Sequence, residues 1–269
     1  MLTALDAFAG PDFGGLSLLG SPWLGLLCLF AAGVAAGVVN SMAGGGSFLT
    51  IPILIGLGLP AGAANGTIRV SILSQNATLA ATFHNNGVRA HRLTLRLAAP
   101  IVIGALVGSW LATQLDDGVF RPLIGAVLVL WAIILVFKPD RFLHPPDEER
   151  EPSGLTYLLT GLVGLYGGFL QAGVGFPLIA MLSAHLGYDL VRTNAVKASL
   201  IFIYTCVALP MFALHGQIAW IPALVLAGGT MLGAWLGARW QLEKGAEVVR
   251  WFVLIAVAVS GVSMLSSLL

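Results

Sequence analysis

The sequence is poor in charge. Only 9% of its 269 residues are Asp, Glu, Lys or Arg, against roughly 25% in an ordinary soluble domain. Thirteen basic and twelve acidic side chains are too few to cover a soluble fold of this size, so most of the surface faces something other than water. A net charge of +1 excludes a nucleic-acid-binding domain. The two cysteines, Cys28 and Cys206, lie in apolar runs; they form no disulfide framework and are too few for a metal cluster. The first twenty residues contain no Lys or Arg and so lack the basic region of a secretory signal. Residues 1–21 read as a retained interfacial lead-in. What the chain has is 58% hydrophobic residues and 34 glycines. This is the composition of an all-α polytopic membrane protein whose main partner is the lipid bilayer, with no cofactor expected.

A bilayer core takes about 20 apolar residues as helix, because only a helix satisfies its own backbone there. Apolar runs between charges and Gly/Pro punctuation predict five segments in each half. The first half has 22–42, 47–59, 66–84, 94–114 and 119–137. The second has 155–172, 175–187, 192–213, 220–240 and 249–268. The second segment of each half is too short to cross comfortably, which points to a broken or re-entrant helix. The predicted organisation is an N-terminal repeat over 1–137, an aqueous linker over 138–153 rich in Pro and charge, and a C-terminal repeat over 154–269.

The halves align at a constant offset of 129 residues without a gap. Gly44 falls on Gly173, Gly46 on Gly175, Gly58 on Gly187, Asn65 on Asn194 and Gly87 on Gly216. Gly104 and Gly108 fall on Gly233 and Gly237. Matches of Ala or Leu would be trivial in such a chain; matched Gly and Asn point to an internal duplication. An odd number of segments per half turns the second repeat over relative to the first. Placing Arg89, Arg92 and Arg96 in the cytoplasm then puts ten of the thirteen cations inside and only Arg121 outside, as the positive-inside rule asks. The expected location is the bacterial inner membrane, with basic loops cytoplasmic and the N-terminus external. Inverted repeats are a transporter architecture with the substrate near the midplane.

The glycine-rich stretch Gly44, Gly45, Gly46, Ser47 is matched by Gln171, Gly173 and Gly175. Such runs break a helix, and a break at membrane depth is tolerated only inside protein or beside a wet cavity. The amides exposed there, together with the N-terminal end of the following short helix, suit an anion. The other reading is close helix packing through small residues, which accounts for Gly104/Gly108 and Gly233/Gly237. Two cations lie inside the third segments: Arg69, in Asn65-Gly-Thr67-Ile-Arg69, and Lys197, in Asn194-Ala-Val-Lys197. An intramembrane cation costs about 3 kcal/mol, and all twelve carboxylates lie in the lead-in, loops or segment ends. Either both cations snorkel to an interface, or they meet as an uncompensated pair that holds a small anionic substrate. His84 ends the third segment and is a candidate for proton handling or gating, against the commoner role of such a histidine as a capping or interface residue. No metal site is expected.

The paired Gly-rich segments resemble those of the sulfite exporter TauE/SafE family. The resemblance is carried by Ala43-Gly-Gly-Gly-Ser-Phe-Leu-Thr-Ile-Pro52, by Gly58 to Thr67, and by Gly104-Ala-Leu-Val-Gly108 with Gly233-Ala-Trp-Leu-Gly237. It runs across nearly the whole chain. It implies a secondary transporter moving sulfur-containing anions such as sulfite or organosulfonates, usually as export. The second motif departs from the first: it is reduced to Gly173-Val-Gly175, and Pro52 is replaced by Met181. The rival readings are a channel or uniporter with the same site, a membrane scaffold without transport, and an intramembrane enzyme. The last lacks a nucleophile motif or an intramembrane carboxylate.

Overall fold

The computed structural model describes residues 22–42, 44–137 and 149–244. The expected segment 249–268 and most of the linker lie outside the described residues. The described residues form helices and short connections: α1 Pro22–Met42, α2 Ser47–Gly56, α3 Ala61–Asn85, α4 His91–Thr113 and α5 Asp117–Phe137. These are followed by α6 Gly154–Phe169, the short α7 Gly175–Ile179, α8 Leu190–Leu214 and α9 Trp220–Lys244. A π-helical stretch, Ala180–His185, continues α7.

Local chemistry sets the boundaries. Pro60 can serve as an N-cap but cannot donate inside a helix, so α3 opens at Ala61 rather than at the expected 66. Asp189 caps α8 by accepting from the amides of Val191 and Arg192, both at 3.0 Å. Helix α3 stops at Gly87, whose φ of +81° suits glycine; the Gly87 and Val88 amides fold back onto the carbonyls of His84 and Phe83 at 3.0 Å. The end of α8 repeats this: Gly216 and Gln217 bond Ala213 and Phe212. Among the described residues, all six glycines with positive φ fall into three pairs at the offset of 129, namely Gly44 and Gly173, Gly58 and Gly187, and Gly87 and Gly216. At these three aligned positions the two stretches share the left-handed backbone conformation as well as the residue.

Packing follows the same exchange of halves. Helix α1 runs beside α9, and α4 beside α6, through small residues. A Cβ on Gly37 would lie 2.4 Å from the Thr230 carbonyl, and one on Gly104 would lie 2.0 Å from the Gly161 carbonyl. Between these pairs α3 crosses α8 in antiparallel fashion. Gly66, near the start of α3, touches Gln217 and Phe212 beyond and at the end of α8, while Phe83, at the end of α3, shares a cluster with Ala195 and Ala198 near the start of α8.

Four described helices are long and apolar enough to cross a membrane: α1 from Leu24, α4, α8 and α9. Helix α3 is as long as α8 but carries Asn65, Thr67, Arg69, Ser71, Gln75 and Asn76, all buried. Its surroundings are protein, whereas α4 and α6 present Leu95, Ile103, Trp110, Leu158 and Leu162 outward. Cys28 and Cys206 are likewise exposed on the outer surface. The chain is a multi-pass helical membrane protein. One face gathers the loop after α3, the start of α6 and the start of α8. There Arg96 pairs with Glu151, and Arg192 with Glu149 at 2.8 Å.

Candidate functional site

The two helix breaks meet. The chain leaves α1 at Met42, turns through Gly44 at φ +83° and restarts as α2 at Ser47; it leaves α6 at Phe169, turns through Gly173 and restarts as α7. A Cβ on Gly44 would lie 2.4 Å from the Gly175 Cα, and one on Gly175 would lie 2.3 Å from the Gly44 Cα. Backbone rests on backbone there, which only glycine on both sides permits. Ser47 joins the breaks, its Oγ accepting from the Gly173 amide at 3.1 Å and donating to the Gln171 carbonyl at 3.4 Å. The rings of Phe48 and Phe176 stack with centroids 5.7 Å apart, and Phe176 covers Gly45.

A helix that ends inside a membrane leaves its last carbonyls without amide partners and with partial negative charge. Here those carbonyls are taken by the third helix of the opposite half. Arg69 on α3 is fully buried and donates to the carbonyls of Gly167 at 3.1 Å and Gly168 at 2.6 Å, while Asn65 donates to Phe169 at 3.0 Å. Lys197 on α8 is equally buried and donates to the carbonyls of Asn40 at 3.0 Å and Ser41 at 3.4 Å; Asn194 reaches Met42 at 3.3 Å. Three consecutive carbonyls are satisfied at each break, by a cation and an Asn from the other half.

Side chains knit each cap together. Gln171 donates to the Tyr204 hydroxyl at 2.8 Å, accepts from Arg69 at 3.4 Å, and its amide donates to Asn65 at 3.1 Å. On the other side Asn194 accepts from Lys197 and donates to Gln241, both at 2.7 Å. The Arg69 guanidinium lies 4.1 Å from the Phe212 ring centre. Carbonyl dipoles solvate these cations without cancelling their charge. Among the described residues no carboxylate pairs with either, since the ion pairs there are those of Arg96 and Arg192. Two basic side chains therefore lie in the protein interior without a carboxylate partner among the described residues.

Of the residues singled out from sequence, Gly44, Gly45, Gly46, Ser47, Asn65, Arg69, Gln171, Gly173, Gly175, Asn194 and Lys197 converge on this crossing, all of them buried. Arg69 and Lys197 do not snorkel, yet they are not a contact pair. Arg69 lies over Phe212, which is fifteen residues, about 22 Å of helix, from Lys197 along α8. They flank the crossing on opposite sides. Thr67 points elsewhere and accepts from the Ala219 amide at 3.0 Å, at the entrance to α9. His84 is exposed in the last turn of α3 and stands apart from the crossing. Sequence reasoning missed Tyr204 and Gln241. Tyr204 occupies the position of Gln75 at the offset of 129, a polar pair in otherwise apolar stretches that was available as a signal. Gln241 was hidden because the segment was ended at 240, whereas α9 continues to Lys244.

Two broken helices crossing inside a multi-pass helical bundle, each end held by a buried cation of the other half, define a membrane protein of transporter type. The comparison with known sequences makes this specific. The sequence model of the family described as sulfite exporter TauE/SafE matches residues 29–264, and the chain belongs to that family. It is 28% identical over 239 residues to a probable membrane transporter protein of Haemophilus influenzae, covering 86% of this chain and 90% of that one. It is 26% identical over 236 residues to the probable membrane transporter protein ORF9 of a Sinorhizobium species, covering 87% and 90%. With the probable membrane transporter protein YfcA of Escherichia coli K12 the identity is 27% over 240 residues, covering 88% of each. No solved structure matches the chain.

Proposed function

We propose that this membrane transporter moves small sulfur-containing oxyanions, of the sulfite or organosulfonate class, by alternating access around the crossing of its broken helices. The observation that carries the reading is the pair of buried cations, Arg69 and Lys197, answered by carbonyls and by no carboxylate among the described residues. An anion brings the counter-charge that dipoles cannot supply. Arg69 suits an oxyanion because a guanidinium presents paired donors to two oxygens at once, while Lys197 offers a compact charge. The buried Nε–H of Arg69, and the side-chain amide nitrogen of buried Gln75, are donors without a partner among the described residues.

The capping geometry suggests how binding drives movement. A full negative charge outcompetes the partial charges of the Gly167 and Gly168 carbonyls for the guanidinium. An anion at Arg69 thus loosens the end of α6, and one at Lys197 the end of α1. Each cation belongs to one half and each break to the other, so the exchange shifts the two halves relative to one another. Five-segment inverted repeats, with α3 and α8 as counterparts, suit such rocking; their antiparallel crossing and the paired positive-φ glycines support that organisation. In this reading the face with Arg89, Arg92, Arg96 and Arg192 is cytoplasmic, the membrane is the bacterial inner membrane, and the net direction is export.

Thermal unfolding with sulfite, sulfoacetate, taurine, thiosulfate and sulfate tests the site, since a bound anion raises the unfolding temperature. Flux into proteoliposomes, with and without a pH gradient, tests transport and coupling. The wild type should be stabilised by at least one sulfur oxyanion, and Arg69→Gln and Lys197→Gln should lose both stabilisation and flux. Arg69→Lys separates charge from capping: it should keep a weakened response. Unaltered flux in both glutamine variants, with the proteins folded, refutes the site.

A further inference from the structure

A recess on the basic face changes chemistry along its length. One part, a cavity of about 340 Å³, is lined by Arg89, His91, Arg92, Leu93 and Arg192. His91 also lines a second, open cavity of about 410 Å³ along α3, α4 and α8, beside Ala80, Ala81, Phe83, Val88, Leu95 and Ala195. This second part is mostly apolar, with His84, Thr94 and Ser199 as its polar members apart from His91. A polar mouth therefore opens into a greasy cleft at the boundary of a membrane-embedded helix bundle.

The arginines at the mouth differ in their partners. Arg96 and Arg192 are paired with Glu151 and Glu149. Arg89 and Arg92 are exposed and make no ion pair or hydrogen bond among the described residues. No carboxylate lines either cavity among the described residues; Asp189, which lines a neighbouring cavity with Arg89, accepts from the Val191 and Arg192 amides through its Oδ1. Two free guanidinium groups beside an apolar cleft match one ligand shape, an anionic head joined to a hydrocarbon tail.

We propose that this recess binds an anionic phospholipid, its phosphate held by Arg89 and Arg92 and one acyl chain lying in the cleft between α3, α4 and α8. A free inorganic anion gains nothing from the Phe83, Val88 and Leu95 walls. A zwitterionic lipid brings its own cation to the arginines and is disfavoured. The site is separate from the helix crossing and does not depend on which solute the protein moves.

The test uses the purified full-length chain in neutral detergent, with bound lipid counted by native mass spectrometry and stability followed by thermal unfolding. Phosphatidylglycerol, phosphatidylcholine of the same chains, glycerol phosphate and inorganic phosphate are compared. Phosphatidylglycerol should be retained and should raise the unfolding temperature, with little effect from the other three. Arg89→Gln and Arg92→Gln change exposed groups without an ion pair or hydrogen bond among the described residues; each should weaken phosphatidylglycerol binding by about fivefold and the pair together by about 25-fold. Arg96→Gln, already neutralised by Glu151, should change it less. Ala81→Phe fills the cleft and should weaken the lipid while leaving both arginines in place. Equal retention of the two lipids, equal stabilisation by glycerol phosphate or inorganic phosphate, or undiminished binding in the double arginine variant overturns the proposal.

Discussion

Substituting alanine at Gly44 tests whether the two helix breaks rest on one another. Two costs combine at that position. The backbone sits at φ +83°, where an L-residue is less stable than glycine by about 1–2 kcal/mol. The new methyl also arrives 2.4 Å from the Gly175 Cα, and such overpacking costs about 1–3 kcal/mol. Neighbouring glycines separate the two terms. Gly87 has nearly the same φ, +81°, but nothing within 4 Å of its added Cβ, so Gly87→Ala should show the conformational cost alone. Gly175 lacks a positive φ and meets the Gly44 Cα at 2.3 Å, so Gly175→Ala should show the steric cost alone. The expected order of destabilisation is Gly44→Ala above Gly175→Ala and above Gly87→Ala, with a total of roughly 2–5 kcal/mol for Gly44→Ala. Because both methyls crowd one gap, the Gly44→Ala/Gly175→Ala double variant should cost less than the sum of the two. Reversible unfolding in mixed micelles as denaturing detergent is titrated measures each free energy. A Gly44→Ala protein no less stable than Gly87→Ala refutes the crossing.

Tyr204→Phe should cost about 1–3 kcal/mol by leaving the buried Gln171 amide without its acceptor, and combining it with Gln171→Leu should recover part of that loss in the same titration. Gly104→Ala, whose methyl would meet the Gly161 carbonyl at 2.0 Å, should loosen the α4–α6 pair by about 1–3 kcal/mol. Gly125→Ala, with nothing within 4 Å, should leave the unfolding midpoint nearly unchanged.

Much of the architecture was legible from one chain because lipid is a demanding solvent. It forces long apolar runs to be helices and leaves few uses for a glycine triplet. The breaks at Gly44 and Gly173 and the pairing of Asn65 with Asn194 were readable for that reason. The beginning of α3 was less so. Asn65 fell just before the expected segment 66–84, yet the helix opens after Pro60, five residues earlier, and places Asn65 inside the bundle. Polarity in α3 could signify a wet cavity or enclosure by protein, and hydropathy alone does not distinguish them. The partners of the two cations were beyond reach. The carbonyls that Arg69 meets are 98 and 99 residues away, and those that Lys197 meets are 156 and 157 away. No spacing rule links such positions, and a carbonyl carries no residue identity to read.

By itself the sequence determined that the chain is a helical membrane protein with two glycine-broken apolar segments and two cations within apolar stretches, because desolvation acts on composition and backbone locally. Tertiary structure alone decided that each cation closes the helix end of the other half and that the breaks touch through glycine, because those contacts depend on how α3 and α8 cross, and a crossing is a property of assembled surfaces.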